Sequence, residues 1–324
     1  LFRPLLIRLS TSCSAMVPRP AHRPDRPLTS MPSLEEEAAE AKKGLAFGLG
    51  AFLLWGGLPN LFKLVDHVPA IETLSWRTIS SFAFLLLLVL VTRRWRRLRN
   101  AVRSHRILGS LAITTCLLGL NWWVFVYAVN IGEVLQVSLG YYINPLFSVL
   151  LGFLLLGERL TRLQVLAVLI AAAGVLNQTL TLGSFPWASL GMAVLFGLYG
   201  YARKVAKVEA IEGLLIETAM LMPFAIAWIW WVQTQGQAVV VGGDSQTIFS
   251  MAIVGVLTAV PLILFTEGAR RLRLATVGLL QYIAPTLHLV GAVWLWGETL
   301  TNTHLVTFGC IWVALGLYSA PSVL

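Results

Sequence analysis

Three sets of side chains in this 324-residue chain sit inside long apolar stretches, where polar groups need a reason to persist. Arg77 and Glu217 are ionisable residues within such runs, and a charge there costs roughly 3 kcal/mol if the surroundings are lipid. Tyr141, Asn144 and Ser148 fall at i, i+3 and i+7, one face of a helix, and Gln281, Ala284 and His288 repeat that spacing farther along. Asn121 stands beside Trp122, with Tyr127 close behind. Together these residues suit an amphipathic solute: Arg77 would attract a carboxylate or phenolate, while Tyr141, Tyr282 and the tryptophans would hold an apolar body. Asn121, Asn144 and Gln281 would fix its orientation, and Glu217 or His288 could exchange a proton. The same groups would equally serve as hydrogen-bonded contacts between helices with no ligand.

Other chemistries lack their residues. No phosphate-binding glycine loop, no His-Glu-x-x-His and no serine paired with a base in helical register occurs, which argues against an ATP-driven pump and against an enzyme. Cys13, Cys116 and Cys310 show neither Cys-x-x-Cys nor Cys/His spacing, so no disulfide framework, metal site or cofactor is expected.

The elements that must position these groups follow from composition. Hydrophobic residues make up 57% of the chain and charged residues 12%, with a mean hydropathy of +0.77. That is too little charge to coat a water-facing surface. Runs of about 20 apolar residues, the length that crosses a bilayer, number ten: about 44–65, 69–91, 107–129, 134–156, 162–181, 185–203, 211–233, 247–267, 274–296 and 303–321. The expected fold class is an all-α integral membrane protein.

The net charge of +9 does not point to nucleic acid, because apart from the leader the cations lie largely in alternate loops. Fifteen of them, from Arg93 to Arg106, at Arg159 and Arg162, from Arg203 to Lys207 and from Arg270 to Arg273, fall on one side, against Lys63 alone on the other. By the positive-inside rule both termini are expected in the cytoplasm. Residues 1–43 read as a disordered leader, with Met16 and Met31 both plausible starts.

An internal repeat organises the rest. Tyr142-Ile143-x-Pro145 recurs as Tyr282-Ile283-x-Pro285, and Gly157-Glu158-x-Leu160-Thr161 recurs as Gly297-Glu298-x-Leu300-Thr301, every pair 140 residues apart. The same offset relates Gly57 to Gly197, Lys63 to Arg203 and Arg77 to Glu217. Five runs per copy is an odd number, so the copies 44–181 and 182–324 are expected to enter the membrane from opposite faces, as inverted-repeat secondary transporters do. Arg77 and Glu217 would attract one another across the halves, or each guard one mouth of a central path.

Pro145, Pro285, Gly157, Glu158, Gly297 and Glu298 are expected structural hinges. Glu158 would place a negative charge near the helix that Thr161-x-x-Gln164 opens as a capping box. Gly191, Gly197 and Gly200 could support a homodimer, or bring helices of one chain close together.

These segments carry a resemblance. The Gly-Glu-x-Leu-Thr pair in a duplicated ten-span chain resembles the EamA domains of the drug/metabolite transporter superfamily. Leu53-Leu54-Trp55-Gly56, Val68-Pro69-Ala70-x-Glu72-x-Leu74-x-x-Arg77, Leu120-Asn121-Trp122, Ser138-Leu139-Gly140-Tyr141-Tyr142-Ile143-Asn144-Pro145-Leu146 and Phe196-Gly197-Leu198-Tyr199-Gly200 are similar to its RarD branch, although Trp76 precedes Arg77 where that branch has a His-Arg pair. The resemblance implies a bacterial inner-membrane permease exporting small metabolites or drug-like compounds by alternating access, its partners being the lipid bilayer and a small-molecule substrate. A passive channel or facilitator on the same scaffold and a membrane-embedded enzyme are the competing readings.

Overall fold

The structure, a computed structural model, describes residues 34–62, 67–183, 185–296 and 302–319, and every regular element among them is a helix. In chain order these are α1 (Leu34–Phe62), α2 (Ala70–Val91), α3 (Trp95–Arg103), α4 (His105–Asn130), α5 (Val134–Leu156), α6 (Arg162–Leu182), α7 (Trp187–Val205), α8 (Ala210–Thr234), α9 (Ser245–Arg271), α10 (Leu274–Leu280), α11 (Ile283–Trp296) and α12 (Asn302–Ser319). The leader up to residue 33, Cys13, Lys63, Gly297 and Glu298 lie outside the described residues. The chain forms two compact units, Leu1–Ala39 and Glu40–Leu324. Among the described residues the first holds only the exposed opening turns of α1, with Glu35, Glu36 and Glu37.

Each of the ten apolar runs is helical over most of its described residues, and seven stretches are long and apolar enough to cross a membrane, the last of them, Leu274–Gly291, running through both α10 and α11. Those runs are aliphatic on every side, as a segment surrounded by lipid and other helices must be. α1, α7 and α12 are not among the seven; α7 gives up apolarity to Tyr199, Tyr201, Arg203 and Lys204 in its second half.

Two expectations change here. The arginine-rich stretch after α2 is not a bare loop: residues 95–103 coil into α3, which buries Leu98 and Ala101 and leaves its arginines outside. The ninth run is two helices, interrupted between Leu280 and Ile283. There the amides of Gln281 and Tyr282 tighten onto the carbonyls of Gly278 and Leu279 at 3.1 Å. Pro145, the counterpart of Pro285, instead sits inside an unbroken α5.

The cation-bearing segments meet at one end of the helices. Lys204 donates to the carbonyls of Ala269 and Leu272, Arg94 approaches Glu212 at 3.7 Å, and Arg271 Nε donates to Glu40 at 3.0 Å. Polar contacts at the opposite end are likewise specific. Glu72 accepts the Val239 and Val240 amides at 3.1 and 2.9 Å, and the Gln136 side chain accepts the Ala188 amide at 3.1 Å.

The apolar cores differ between the two ends. At the arginine-rich end a single cluster runs from Phe52 through Leu85, Leu111, Leu118, Tyr199, Leu214 and Phe265. The opposite end holds two smaller ones, Val68–Val240–Met251–Val254 and Ala128–Val137–Ala188–Met192, which share no residue. A fourth cluster joins α5 and α6 to α10 and α12.

Candidate functional site

Arg77 and residues from four other helices form the polar centre. The Arg77 guanidinium stands 4.2 Å over the Trp122 ring, α2 against α4, a cation–π arrangement that offsets part of the cost of burying the charge. Among the described residues no carboxylate lies within 4.0 Å of it, and its Nε has no hydrogen-bond partner. The Tyr141 hydroxyl on α5 lies within electrostatic range of the same guanidinium. Tyr141 also meets the His288 ring of α11 edge-on, centroids 5.9 Å apart. Nε2 of His288 lies 3.2 Å from the Trp55 carbonyl on α1; since a carbonyl only accepts, this ring nitrogen carries the hydrogen of that contact. Tyr141 is 38% exposed although the His288 ring of α11 packs against it.

The other sequence candidates divide. Gln281 donates to Ser148 at 3.0 Å, a pair related to Tyr141–His288 by the 140-residue offset. So α5 crosses the start of the ninth run at two equivalent contacts. Asn144 is buried beside them, and its carbonyl oxygen has no partner. Asn121 donates to the Met192 carbonyl at 3.0 Å, which turns it towards α7 while Trp122, the next residue, faces Arg77. Tyr282 is fully buried and donates to the Tyr142 carbonyl at 3.2 Å. In this structure Asn121 and Tyr282 therefore join helices and stand apart from the Arg77–Trp122–Tyr141 cluster.

Glu217 does not meet Arg77. It forms a separate centre with Arg203, both residues 0% exposed and 3.5 Å apart. One carboxylate oxygen accepts from Thr114 of α4 at 2.5 Å, and the other from Tyr199 of α7 at 3.3 Å. Gly213 makes the room: a Cβ there would stand 2.2 Å from Arg203 Nη1. Sequence reasoning counted Arg203 and Lys204 as loop cations, but both turn inward to protein partners. The signal was present, because Tyr199 and Arg203 are four apart on one face of α7.

The hinge residues act across a longer distance than their spacing suggests. Gly157 ends α5 in the left-handed conformation at φ +64°, and Thr161 and Gln164 form the expected capping box. Glu158, however, does not serve α6. Its carboxylate accepts the Leu274 and Ala275 amides at 2.6 and 3.0 Å, capping α10, whose own N-cap residue Arg273 offers no side-chain acceptor. Pro285 is buried in the first turn of α11.

Comparison with known proteins gives this architecture relatives. Residues 42–177 match the EamA-like transporter family. The chain is 42% identical over 290 residues to the "Uncharacterized transporter YojE" of Bacillus subtilis, covering 88% of this chain and 96% of that one. It is 40% identical over 287 residues to "Protein RarD" of Escherichia coli K12, covering 89% and 97%. The "Chloramphenicol-sensitive protein RarD" of Pseudomonas aeruginosa shares 31% over 277 residues, covering 84% and 92%. A solved structure titled "Crystal structure of protein" superimposes with a TM-score of 0.66 over 86% of this chain and 97% of its own, at 18% identity, a likeness of fold alone. With full-length relatives at such identity and helices suited to a bilayer, the chain belongs to the EamA-like transporter family of the drug/metabolite transporter superfamily, in its RarD-like branch, and is a multi-pass membrane transporter.

Proposed function

We propose that the chain moves a small amphipathic anion across a bacterial inner membrane by alternating access between two inverted five-helix halves, as an exporter. The observation that carries the substrate class is Arg77: a cation stacked on Trp122, beside Tyr141, with no carboxylate partner among the described residues. A substrate carboxylate or phenolate would supply the missing charge, while Trp122 and Tyr141 hold the apolar body and Asn144, Gln281 and His288 supply hydrogen bonds. Helix pairing supports the two-fold arrangement. α2 packs on α8, α5 on α10 and α6 on α12, each pairing one run with the run 140 residues on.

With the cations placed in the cytoplasm, the continuous core lies at the cytoplasmic end and the divided cores at the outer end. This favours an outward-open state, with the Thr114–Glu217–Arg203 centre as the cytoplasmic latch between α4 of the first half and α7 and α8 of the second. Opening that end would expose Glu217, and a proton gained there or at His288 would drive the cycle.

A thermal-shift screen of aromatic carboxylates on purified protein tests the reading. Chloramphenicol, an uncharged nitroaromatic amide suggested by the name of the Pseudomonas relative, is the neutral control. A carboxylate should raise the melting temperature where its primary amide does not, and Arg77→Ala should abolish the shift. Undiminished binding by that variant would remove Arg77 from the site. In proteoliposomes, accumulation collapsed by a protonophore supports secondary-active transport, whereas equilibration alone would indicate a facilitator.

A further inference from the structure

A dense group of cations is used by neither the Arg77 cluster nor the Glu217 centre. Between the end of α2 and α3, Thr92, Arg93, Arg94, Arg96, Arg97 and Asn100 line a depression of about 620 Å³. Its cations are of two kinds. Arg94 and Arg97 are held from beneath by α8: Arg94 lies 3.7 Å from the buried Glu212 and 4.0 Å from Glu209, and Arg97 lies 3.6 Å from Glu209. Arg93 and Arg96 are exposed, with no carboxylate within 4.0 Å among the described residues, and the same is true of Arg99 and Arg103 farther along α3. Two anchored and two free guanidiniums around one basin form a receptor for a phosphate oxyanion, which arginine binds through paired N–H groups.

The surroundings identify the source of the phosphate. Leu87, Leu90 and Val91 of the last α2 turns are 59%, 55% and 71% exposed, and Trp95, at the start of α3, is 56% exposed. An apolar skirt thus adjoins the arginine basin, with a tryptophan at the boundary, as at the level where acyl chains give way to headgroups. A soluble phosphate compound would need no such skirt.

We infer that this depression is a binding site for the phosphate of an anionic phospholipid, the acyl chains lying along Leu87, Leu90 and Val91 and the headgroup between Arg93 and Arg96 over the anchored Arg94 and Arg97. Topology alone requires only that the cations be on that side; it does not require α3 to gather them around a basin.

Fluorescence quenching in nanodiscs tests this. The probe is phosphatidylglycerol brominated near the top of its acyl chains, compared with equally brominated phosphatidylcholine at the same fraction, and the Trp95 signal is the difference between the wild type and Trp95→Phe. Phosphatidylglycerol should quench Trp95 at several-fold lower mole fraction. With each arginine near a charged leaflet contributing about fivefold in affinity, Arg93→Gln/Arg96→Gln should erase most of that preference. Because loss of cations can disturb insertion, the wild type is also measured at 10 mM and 1 M salt, where the screening length falls from about 30 Å to about 3 Å; the preference should disappear at high salt. Equal quenching by the two lipids, or a preference surviving both the double variant and high salt, would overturn the site. Loss of the preference in 10 mM inorganic phosphate at constant ionic strength would assign the basin to a soluble phosphate and overturn the lipid.

Discussion

Single residues here are governed by what a charge costs away from water. Arg203 and Glu217 bury fully opposite charges, and removing one partner leaves the other uncompensated, which in buried pairs costs about 3–5 kcal/mol. Glu217→Gln should therefore lower detergent stability markedly, while Arg203→Met/Glu217→Leu should recover much of the loss and still fail to transport; equal stability of the single variant and wild type would show that the pair carries no strain of charge. Gly213→Ala should be costly for a steric reason, since the new methyl would stand 2.2 Å from Nη1 and 2.8 Å from Cζ of Arg203, and overpacking of this kind costs about 1–3 kcal/mol. Its signature is a lower thermal midpoint with helix content unchanged. Arg77 and Glu217 could be recognised in the sequence because the residues around them are apolar. Arg203 carried only the weaker signal of Tyr199 four residues before it, masked by the loop cations Lys204 and Lys207 that follow, and the fold shows which of them turn inward.

At the scale of elements, helix ends decide more than helix middles. α10 begins on amides held by Glu158 from another segment, so Glu158→Gln should speed hydrogen exchange at Leu274 and Ala275 and cost about 0.5–2 kcal/mol, the range for a lost cap; unchanged exchange would mean that the helix start holds without it. α9 begins on Asp244, which accepts the Thr247 amide at 2.8 Å. Bonds from the Thr247 hydroxyl and amide hold its carboxyl below the ordinary value of 3.8. A carboxyl depressed on folding stabilises above its unfolded value and loses that contribution as pH falls through the folded one. The first turn of α9 should therefore fray only below about pH 4, read as faster Thr247 amide exchange, and Asp244→Ala should fray it at neutral pH. Run positions were legible from hydropathy because lipid imposes length and apolarity on each segment. The interruption of the ninth run was not, because Pro145 and Pro285 lie in matching text and only tertiary anchors, Gln281 on Ser148 and Tyr282 on Tyr142, distinguish them.

Across the whole molecule the two ends are unequal in packing although the halves are related in sequence, and exchange between them is the motion proposed for transport. The Thr114–Glu217 bond spans that interface. In a background lacking native cysteines, Thr218→Cys should react slowly with a membrane-permeant maleimide, and adding Thr114→Val should raise the rate at least tenfold; equal rates would show that the bond is no latch. The 140-residue offset made the duplication and the matched polar faces of the fourth and ninth runs readable in the sequence; that these faces meet one another is seen only in the fold. Which end is packed around one continuous core was not readable, since a sequence repeat describes both ends alike.

The Glu158 cap also bears on how the protein is made. It joins residues 116 positions apart, so while the first half is already in the membrane its α5–α6 turn still lacks the amides it will hold, which emerge from the ribosome only when the ninth run begins. A chain cut near residue 182 should consequently yield a first half that is cleared quickly on its own and persists when the second half is co-expressed, with persistence reduced if that second half begins after Ala275. That outcome would make the turn a biosynthetic checkpoint, tying the lifetime of one half to the arrival of the other.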